Sequence, residues 1–138
     1  MSEGKLKNLW ILFVDDEADA RAMVSFMLQM NGARVTTANS SVEALEILKN
    51  LDENQNVPDV IISDIGMPFE SGYALIEKIR ALSVRQISKI PAIALTGFNR
   101  PEDKQNALDA GFQIHLGKPF EMENLVAAVA ETANHEPS

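Results

Sequence analysis

The sequence predicts an α/β fold with one doubly wound parallel sheet, and three observations support this prediction. Short apolar runs of strand length alternate five times with amphipathic stretches of helix length. The first run is apolar at nearly every position, as expected for a strand buried on both faces of a parallel sheet. Most of the runs are followed directly by polar residues. Five β–α repeats give a five-stranded sheet with helices on both faces, and we expect the strand order 2-1-3-4-5.

The strands are predicted from apolar or β-branched runs that end at polar or turn residues. In chain order they cover residues 9–14 (LWILFV), 34–38 (RVTTA), 60–63 (VIIS), 92–95 and 112–116. The second is the most polar of the five, so we expect it at or near an edge of the sheet. Pro91 precedes the fourth strand, and 52–58 is predicted to be a polar loop.

Five helices are predicted from apolar residues at helical spacing. The residues expected to face inward are Ala20, Met23, Val24, Met27 and Leu28 in the first helix, Val42, Leu45 and Leu48 in the second, Leu75, Ile76, Ile79 and Leu82 in the third, and Met122, Leu125, Val126 and Val129 in the last. Ser40 or Ser41 is suited to cap the second helix, and Pro101 to begin the fourth. Gly32 and Gly111 mark helix ends.

Composition limits the classes of protein that fit. With 138 residues and 46% hydrophobic residues, the chain is expected to form one domain, 1–138, with its core at about 9–131 and short frayed ends. No cysteine is present, which excludes disulfides and thiolate metal sites. A net charge of −8 disfavours direct nucleic-acid binding. No apolar run approaches the roughly 18 residues of a membrane span, so we expect a soluble, cytoplasmic protein.

The polar residues that follow the strands are expected to meet. Asp15 and Asp16 follow the first strand, Asp64 the third, Thr96 the fourth and Lys118 the fifth. Parallel strands place these residues at one edge, where open α/β sheets bind ligands. Three carboxylates in one crevice repel each other unless a cation neutralises them, and oxygen ligands favour Mg²⁺ or Mn²⁺ over zinc. Acceptor carboxylate, cation site, lysine and hydroxyl together suit phosphoryl transfer to an aspartate.

Four segments resemble the signature segments of response-regulator receiver domains. They are FVDDE at 13–17, ISDIGMP at 62–68, ALTG at 94–97 and LGKPF at 116–120. Each alone is a weak signal, but the four together, in this order and spacing, are specific. The resemblance covers about 9–131 and implies a flavodoxin-like (βα)5 fold.

The resemblance implies a role for each matching residue. Asp64 is expected to be the phosphoacceptor, and Asp16, Asp64 and the Gly66 carbonyl to bind Mg²⁺ directly, with Asp15 acting through water. Thr96 is expected to hydrogen-bond the phosphoryl group, and Lys118 to pair with it. The family also leads us to expect a cis Lys118–Pro119 peptide bond. Gly97, Phe98 and Pro119 would be neighbours of the phosphoryl site; Gly66 leaves it open on one side, and Phe98 is placed to shield it.

His115 departs from the family pattern. Many receivers have tyrosine or phenylalanine three residues before the lysine, as a side chain that turns inward on activation. One reading of His115 is an ordinary half-buried histidine on the fifth strand. The other is a switch whose inward state weakens when the ring is protonated, because the charge must then be desolvated.

The expected function is a switch that takes phosphate from a sensor histidine kinase or a histidine phosphotransfer protein and slowly loses it by hydrolysis. It would act on a downstream protein through the fourth and fifth helices and the fifth strand, where Gln105, Asn106 and Asp109 are expected to be exposed. The sequence is also compatible with a homodimer that forms through this face. The run 90–120 is especially similar to receivers of hybrid sensor kinases, so either a free-standing regulator or a kinase module fits.

Three other functions fit the sequence less well. A phosphatase with an aspartyl intermediate needs a second acid two residues after the nucleophile, where this chain has Gly66. Flavin binding is disfavoured because the acidic turn after the first strand repels a phosphate. An interaction-only receiver relative is disfavoured by the intact acidic residues.

Overall fold

The sheet has the predicted strand order. The computed structural model describes residues 4–51, 56–97 and 101–133. Five parallel strands lie in the order β2-β1-β3-β4-β5. They are β1 (Trp10–Val14), β2 (Arg34–Ala38), β3 (Val60–Asp64), β4 (Ala92–Thr96) and β5 (Ile114–Gly117). The fold class and the edge position of β2 are therefore confirmed, and the strand limits agree with the predicted ones to within two residues.

The described residues form six helices, one more than predicted. They are α1 (Ala18–Met30), α2 (Ser41–Lys49), α3 (Gly72–Arg80), α4 (Arg85–Ser88), α5 (Pro101–Ala110) and α6 (Met122–Ala133). The helix that the sequence did not indicate is α4, because a four-residue helix is too short to show a helical period. The predicted fourth and fifth helices are therefore α5 and α6.

Serines fix the start of α2. Ser40 is the N-cap, since its Oγ accepts a hydrogen bond from the Glu43 backbone N–H at 3.1 Å. Glu43 in turn accepts from the Asn39 N–H at 2.7 Å, so the two side chains satisfy free backbone donors at this end. Ser41 is buried instead and donates to the Glu70 carbonyl at 3.1 Å. Of the two predicted caps, the structure selects Ser40.

The core has two parts, one on each face of the sheet. Leu12 and Val14 of β1 pack with residues of α2, α3 and α5. Ile11 and Phe13, which point to the other face, pack with residues of α1 and α6. A strand covered on both sides has no solvent-facing position, which explains the unbroken apolar run of β1.

Three residues predicted to face inward are exposed. Met23, Val42 and Met122 have exposed fractions of 52%, 62% and 38%. Each lies at the edge of its apolar stripe, and the sheet covers only the centre of the stripe. In α1 that centre is Val24 and Leu28, which are one helical turn apart and fully buried or nearly so. The prediction was wrong at these edges because periodicity does not give the width of the buried face.

Arg80, the last residue of α3, joins several elements through its guanidinium group. Its Nε and Nη2 donate to the Gly111 carbonyl at 3.1 and 2.8 Å, and its Nη1 donates to the Ser88 and Ile90 carbonyls at 3.0 and 2.6 Å. Burial lowers the pKa of Arg80, although a guanidinium stays charged in proteins. Gly111 has a φ of +127°, and a Cβ there would lie 3.1 Å from the Arg80 side chain. This contact connects the end of α5 to the residues before β4.

Candidate functional site

The residues predicted to meet at the carboxyl edge of the sheet do meet there. Asp64 is the last residue of β3 and Thr96 the last of β4. Asp15 directly follows β1, and Lys118 directly follows β5. All strands are parallel, so their carboxyl ends lie side by side.

Three carboxylates form one cluster at this edge. Oxygen atoms of Asp15, Asp16 and Asp64 all lie within 4.8 Å of one another. Asp15 is 1% exposed and Asp64 is 6% exposed, whereas Asp16 faces solvent. Negative charges at this spacing repel each other strongly when water is excluded. The cluster therefore needs positive charge nearby.

The buried carboxylate of Asp15 has only part of its hydrogen-bonding capacity used by the fold. Its Oδ1 accepts a hydrogen bond from the Glu17 N–H at 2.9 Å, but its buried Oδ2 has no hydrogen-bond partner among the described residues. Burial raises the pKa of Asp15 above 3.8, and the charges of Asp64 and Asp16 raise it further. The Glu17 hydrogen bond and the charge of Lys118 lower this pKa, without outweighing the effect of burial.

Lys118 supplies the positive charge. Its Nζ donates to Asp64 Oδ1 at 2.9 Å and lies 4.0 Å from Asp15 Oδ2. The side chain is 32% exposed, so the ammonium group stays in reach of an incoming ligand. Its backbone N–H donates to the Thr96 carbonyl at 2.8 Å, and the Lys118–Pro119 peptide bond is cis, as expected. The end of β5 therefore holds the lysine beside β3.

Thr96 and two glycines form the rest of the edge. Thr96 is 4% exposed and lies opposite Gly117 in the register of β4 and β5. A Cβ placed on Gly66 or on Gly97 would meet no atom within 4 Å. The space next to the carboxylates is thus open at both glycines, in agreement with the prediction for Gly66. Pro119 is exposed, and Phe98, the other predicted neighbour, lies outside the described residues.

The donor set fits a hard divalent cation. The three clustered carboxylates offer only oxygen atoms, which Mg²⁺ and Mn²⁺ prefer. Asp15 Oδ2 is a buried acceptor without a hydrogen bond in the described part of the chain, and the space over Gly66 is free. A cation at this point would satisfy that oxygen and reduce the repulsion among the three carboxylates.

His115 lies on β5, opposite Ala94 of β4. The residue is half-buried. Its Nε2 is buried and has no hydrogen-bond partner within the described ranges. The position on an edge strand agrees with both readings of this residue, an ordinary half-buried histidine and a switch.

The sequence did not indicate Arg21 as part of the site. Its Nη1 donates to the Asp15 carbonyl at 2.8 Å, which holds the loop after β1 against α1. A bond from a side chain to a carbonyl six residues earlier depends on the orientation of α1 relative to the loop. No residue pattern encodes that orientation, so the sequence offers no signal for Arg21.

The comparisons with known proteins agree with this geometry. A family model described as the response regulator receiver domain matches residues 11–130. An uncharacterized 14.6 kDa protein of Leptolyngbya boryana is 39% identical over 126 residues, which cover 91% of each chain. Hybrid signal transduction histidine kinase D of Dictyostelium discoideum is 35% identical over 94% of this chain, which spans only 9% of the kinase.

A solved structure with the same fold comes from Pseudomonas aeruginosa. It is the receiver domain of a sensor histidine kinase, with a magnesium ion coordinated in its active-site cleft. That domain is 29% identical to this chain, with a TM-score of 0.78, and the match covers 92% of this chain and 98% of that one. In the described part of this chain, no helix is both long and apolar enough to cross a membrane. From the matched family model, the strand order and the arrangement of the carboxylates, the chain belongs to the response-regulator receiver domains of two-component systems.

Proposed function

We propose that the chain is a phosphorylation switch whose phosphoacceptor is Asp64. A sensor histidine kinase or a histidine phosphotransfer protein donates the phosphoryl group. The P–N bond of the donor phosphohistidine breaks as a P–O bond to the Asp64 carboxylate forms. The observation that supports this most is the position of Asp64, with Lys118 Nζ at 2.9 Å and two other carboxylates within 4.8 Å. Transfer of this kind depends on positioning and charge neutralisation, and this arrangement supplies both.

Asp15, Asp16, Asp64 and the backbone carbonyl of Gly66 are proposed to hold Mg²⁺ or Mn²⁺. When bound, the cation neutralises charge on the phosphoryl oxygens and on the carboxylates. The magnesium ion in the related P. aeruginosa receiver supports this assignment. So does the unsatisfied, buried Oδ2 of Asp15.

After transfer, Lys118 and Thr96 hold the phosphoryl group. Lys118 pairs with a phosphoryl oxygen, and the Thr96 hydroxyl donates a hydrogen bond to another. The open space at Gly66 and Gly97 lets water approach, so the acyl phosphate is lost slowly by hydrolysis. The domain is then ready for another cycle, and its role is regulatory rather than metabolic.

The output surface is formed by α5, β5 and α6. Gln105, Asn106 and Asp109 are exposed on α5, and they give this face a polar character that suits a protein partner. Thr96 at the end of β4 and His115 on β5 are the residues that pass the change from Asp64 to this face. Phosphorylation shifts the equilibrium between two states of this surface. The same surface is also suited to form a homodimer.

Two architectures are compatible with the proposal. A free-standing, cytoplasmic regulator of one domain, with its core at 9–131, fits the relative of nearly equal length. A receiver module that relays phosphate or gates its kinase fits the match to a small part of a hybrid kinase. Both use the same chemistry at Asp64.

The test is to incubate the protein with Mg²⁺ and acetyl phosphate, or with Mg²⁺ and beryllofluoride, and to record its mass and NMR spectrum. We expect one phosphoryl group at Asp64, with shifts that extend to Thr96 and His115. Asp64→Asn abolishes both responses, whereas Asp19→Asn, at an exposed aspartate on α1, retains them. An unchanged response in Asp64→Asn, or none in the unaltered protein, would exclude the proposed switch.

A further inference from the structure

A second cavity lies at the amino edge of the sheet, at the opposite end of the strands from Asp64. Its volume is about 990 Å³, which is at the upper end of the range for small-molecule sites. The walls come from the start of β1 and β2, the residues before β3 and β4, and α4. No residue of the carboxylate cluster lines this cavity.

Among the charged side chains that line this cavity, positive ones outnumber negative ones. Arg34, Arg85 and Lys89 contribute three cations, and Asp59 is the only carboxylate among the described lining residues. All three cations are exposed, and none forms an ion pair with a carboxylate in the described residues. The whole chain has 12 basic and 20 acidic residues, so the sign of the charge is reversed here. Local positive charge on an acidic protein attracts a small anion to this cavity.

Asp59 offsets only one of these three positive charges, and its carboxylate also has a structural role. Its Oδ2 accepts a hydrogen bond from the Trp10 N–H at 2.8 Å. The Asp59 N–H donates to the Trp10 carbonyl at 2.7 Å. These two bonds join the residue before β3 to the start of β1.

Trp10 and Arg34 form a preorganised flat surface in the cavity. The indole Nε1–H donates to Thr36 Oγ1 at 2.9 Å, which fixes the ring. The guanidinium carbon of Arg34 lies 4.3 Å from the ring centroid, a cation–π contact that holds the arginine over one face of the indole. A guanidinium is planar and stacks on flat rings, and its N–H groups match phosphate oxygens in pairs.

We propose that this cavity binds a small ligand that has both phosphate groups and a flat ring, which is the chemistry of a nucleotide. The ligand ring stacks on the side of the Arg34 guanidinium that does not face Trp10. Arg85 and Lys89, on the wall formed by α4, pair with the phosphate oxygens. The proposal does not depend on phosphorylation of Asp64, because the two sites use different residues at opposite edges.

A purely structural reading of the three cations gives a different expectation. The C-terminal end of a helix attracts positive charge because of the helix dipole, and α1 and α4 both end near this edge. If that were the only role, substitution of these cations would change stability without any effect on ligand binding. The two readings are therefore separated by a binding measurement.

Trp10 is the only tryptophan in the chain, so its fluorescence reports directly on the cavity. AMP and ATP are titrated into the Mg²⁺-free protein, with tripolyphosphate and a tetraglutamate peptide as comparison ligands. We expect saturable changes in fluorescence with AMP and ATP, with ATP the tighter ligand because it has more phosphate charge. The same titration in Asp64→Asn gives the same result, which excludes binding at the carboxylate cluster.

Variants test the residues that carry the proposal. Arg85→Gln combined with Lys89→Gln leaves Trp10 and Arg34 in place and weakens ATP binding about tenfold or more, as expected for lost charge-assisted contacts. Arg34→Gln weakens AMP and ATP binding and has a smaller effect on tripolyphosphate, which has no ring. Lys104→Gln, at an exposed lysine on α5 outside the cavity, changes nothing. Thermal denaturation confirms that each variant is folded.

Three results would overturn the proposal. They are the absence of saturable binding by either nucleotide, equal ATP affinity in the double variant and the unaltered protein, and tighter binding of the tetraglutamate peptide than of ATP. The last result would identify the cavity as a site for an acidic peptide. The NMR signal of the Trp10 indole N–H provides a second readout, because the ligand is expected to stack on the guanidinium group that covers this ring.

Discussion

At the carboxyl edge of the sheet two buried carboxylates share one lysine, whereas at the amino edge one arginine is surrounded by backbone carbonyls. Asp15 and Asp64 are almost fully buried, and Asp15 Oδ2 has no hydrogen bond in the described chain. Arg80 instead donates four hydrogen bonds to three carbonyl groups. The first arrangement leaves binding capacity unused, and the second uses it within the fold. We therefore expect ligand binding at the carboxyl edge and a contribution to stability from Arg80 at the amino edge.

The largest expected effect is at the carboxyl edge. Lys118→Met removes the cation that lies 2.9 Å from Asp64, and we expect phosphorylation by acetyl phosphate to slow about 100-fold, as for other preorganised charge-stabilising groups. Lys104→Met, at an exposed lysine of α5, is the matched control with an unchanged rate. Rates are measured from the appearance of the phosphorylated mass. Equal rates in the Lys118 variant and the unaltered protein would remove Lys118 from the site.

At the amino edge the expected effect is on stability. Arg80→Gln leaves the Gly111, Ser88 and Ile90 carbonyls without their charged donor, and we expect the free energy of unfolding to fall by about 3 kcal/mol. Lys78→Gln, which breaks an exposed ion pair with Glu70, costs at most about 1 kcal/mol. Urea denaturation measures both values.

The comparison between the edges predicts that the Arg80 variant is still phosphorylated while it remains folded. Its phosphorylation rate is therefore measured well below the unfolding midpoint. A loss of phosphorylation without a loss of stability would contradict the separate roles of the two edges.

Replacement of Asp15 by the neutral asparagine is expected to stabilise the metal-free protein. Burial raises the pKa of Asp15 above 3.8, so the folded state favours the protonated carboxyl group. The protonated Asp15 carboxyl group contributes to stability in full below its pKa in the unfolded chain. This contribution is lost as the pH rises through the raised pKa of the folded state. At pH 7 Asp15→Asn thus increases the free energy of unfolding, by on the order of 1 kcal/mol.

We expect Mg²⁺ to reverse that order. We expect it to bind the native cluster in preference to the unfolded chain, and therefore to raise the melting temperature of the unaltered protein and to raise that of Asp15→Asn much less. Thermal melts at pH 4 and pH 7, each with Mg²⁺ and with a chelator, test both parts. A variant that is less stable than the parent in the chelator at pH 7 would show that Asp15 does not strain the fold.

The smallest expected effect concerns His115, whose Nε2 is buried without a hydrogen bond in the described residues. A ring nitrogen that is buried without a hydrogen bond carries a desolvation cost, and phenylalanine has no such polar atom. We expect the phosphorylation-linked chemical shifts on α5 and β5 to differ between His115→Phe and the unaltered protein. Identical responses in the two proteins would leave His115 as an ordinary half-buried histidine.

Much of the fold and the site follows from local sequence. Short apolar runs such as 9–14 are typical of strands buried on two faces, and in a parallel sheet the polar residue after each run then lies at the carboxyl edge. The carboxylate cluster and Lys118 were predicted in this way. The four receiver-like segments added the cis Lys118–Pro119 bond, which composition and periodicity do not indicate.

Other features depend on contacts between residues that are distant in the sequence. Arg80 meets Gly111 across 31 residues, and Trp10 meets Arg34 and Asp59 across the starts of three strands. No repeat or spacing marks such pairs, because they form only when helices and loops take their final orientation.

The sequence by itself determined the layered α/β class, the strand order and the edge at which Asp64 and its neighbours meet. The class and the common edge follow from hydrophobic period and strand direction, which are local or shared by all strands, whereas the strand order was expected from the known doubly wound topologies. The tertiary structure alone decided that Asp15 Oδ2 is buried without a hydrogen bond in the described chain, that Arg80 is surrounded by carbonyls, and that three cations line a cavity at the amino edge. Burial and partner choice are properties of the packed chain, and packing brings together residues that no local pattern connects.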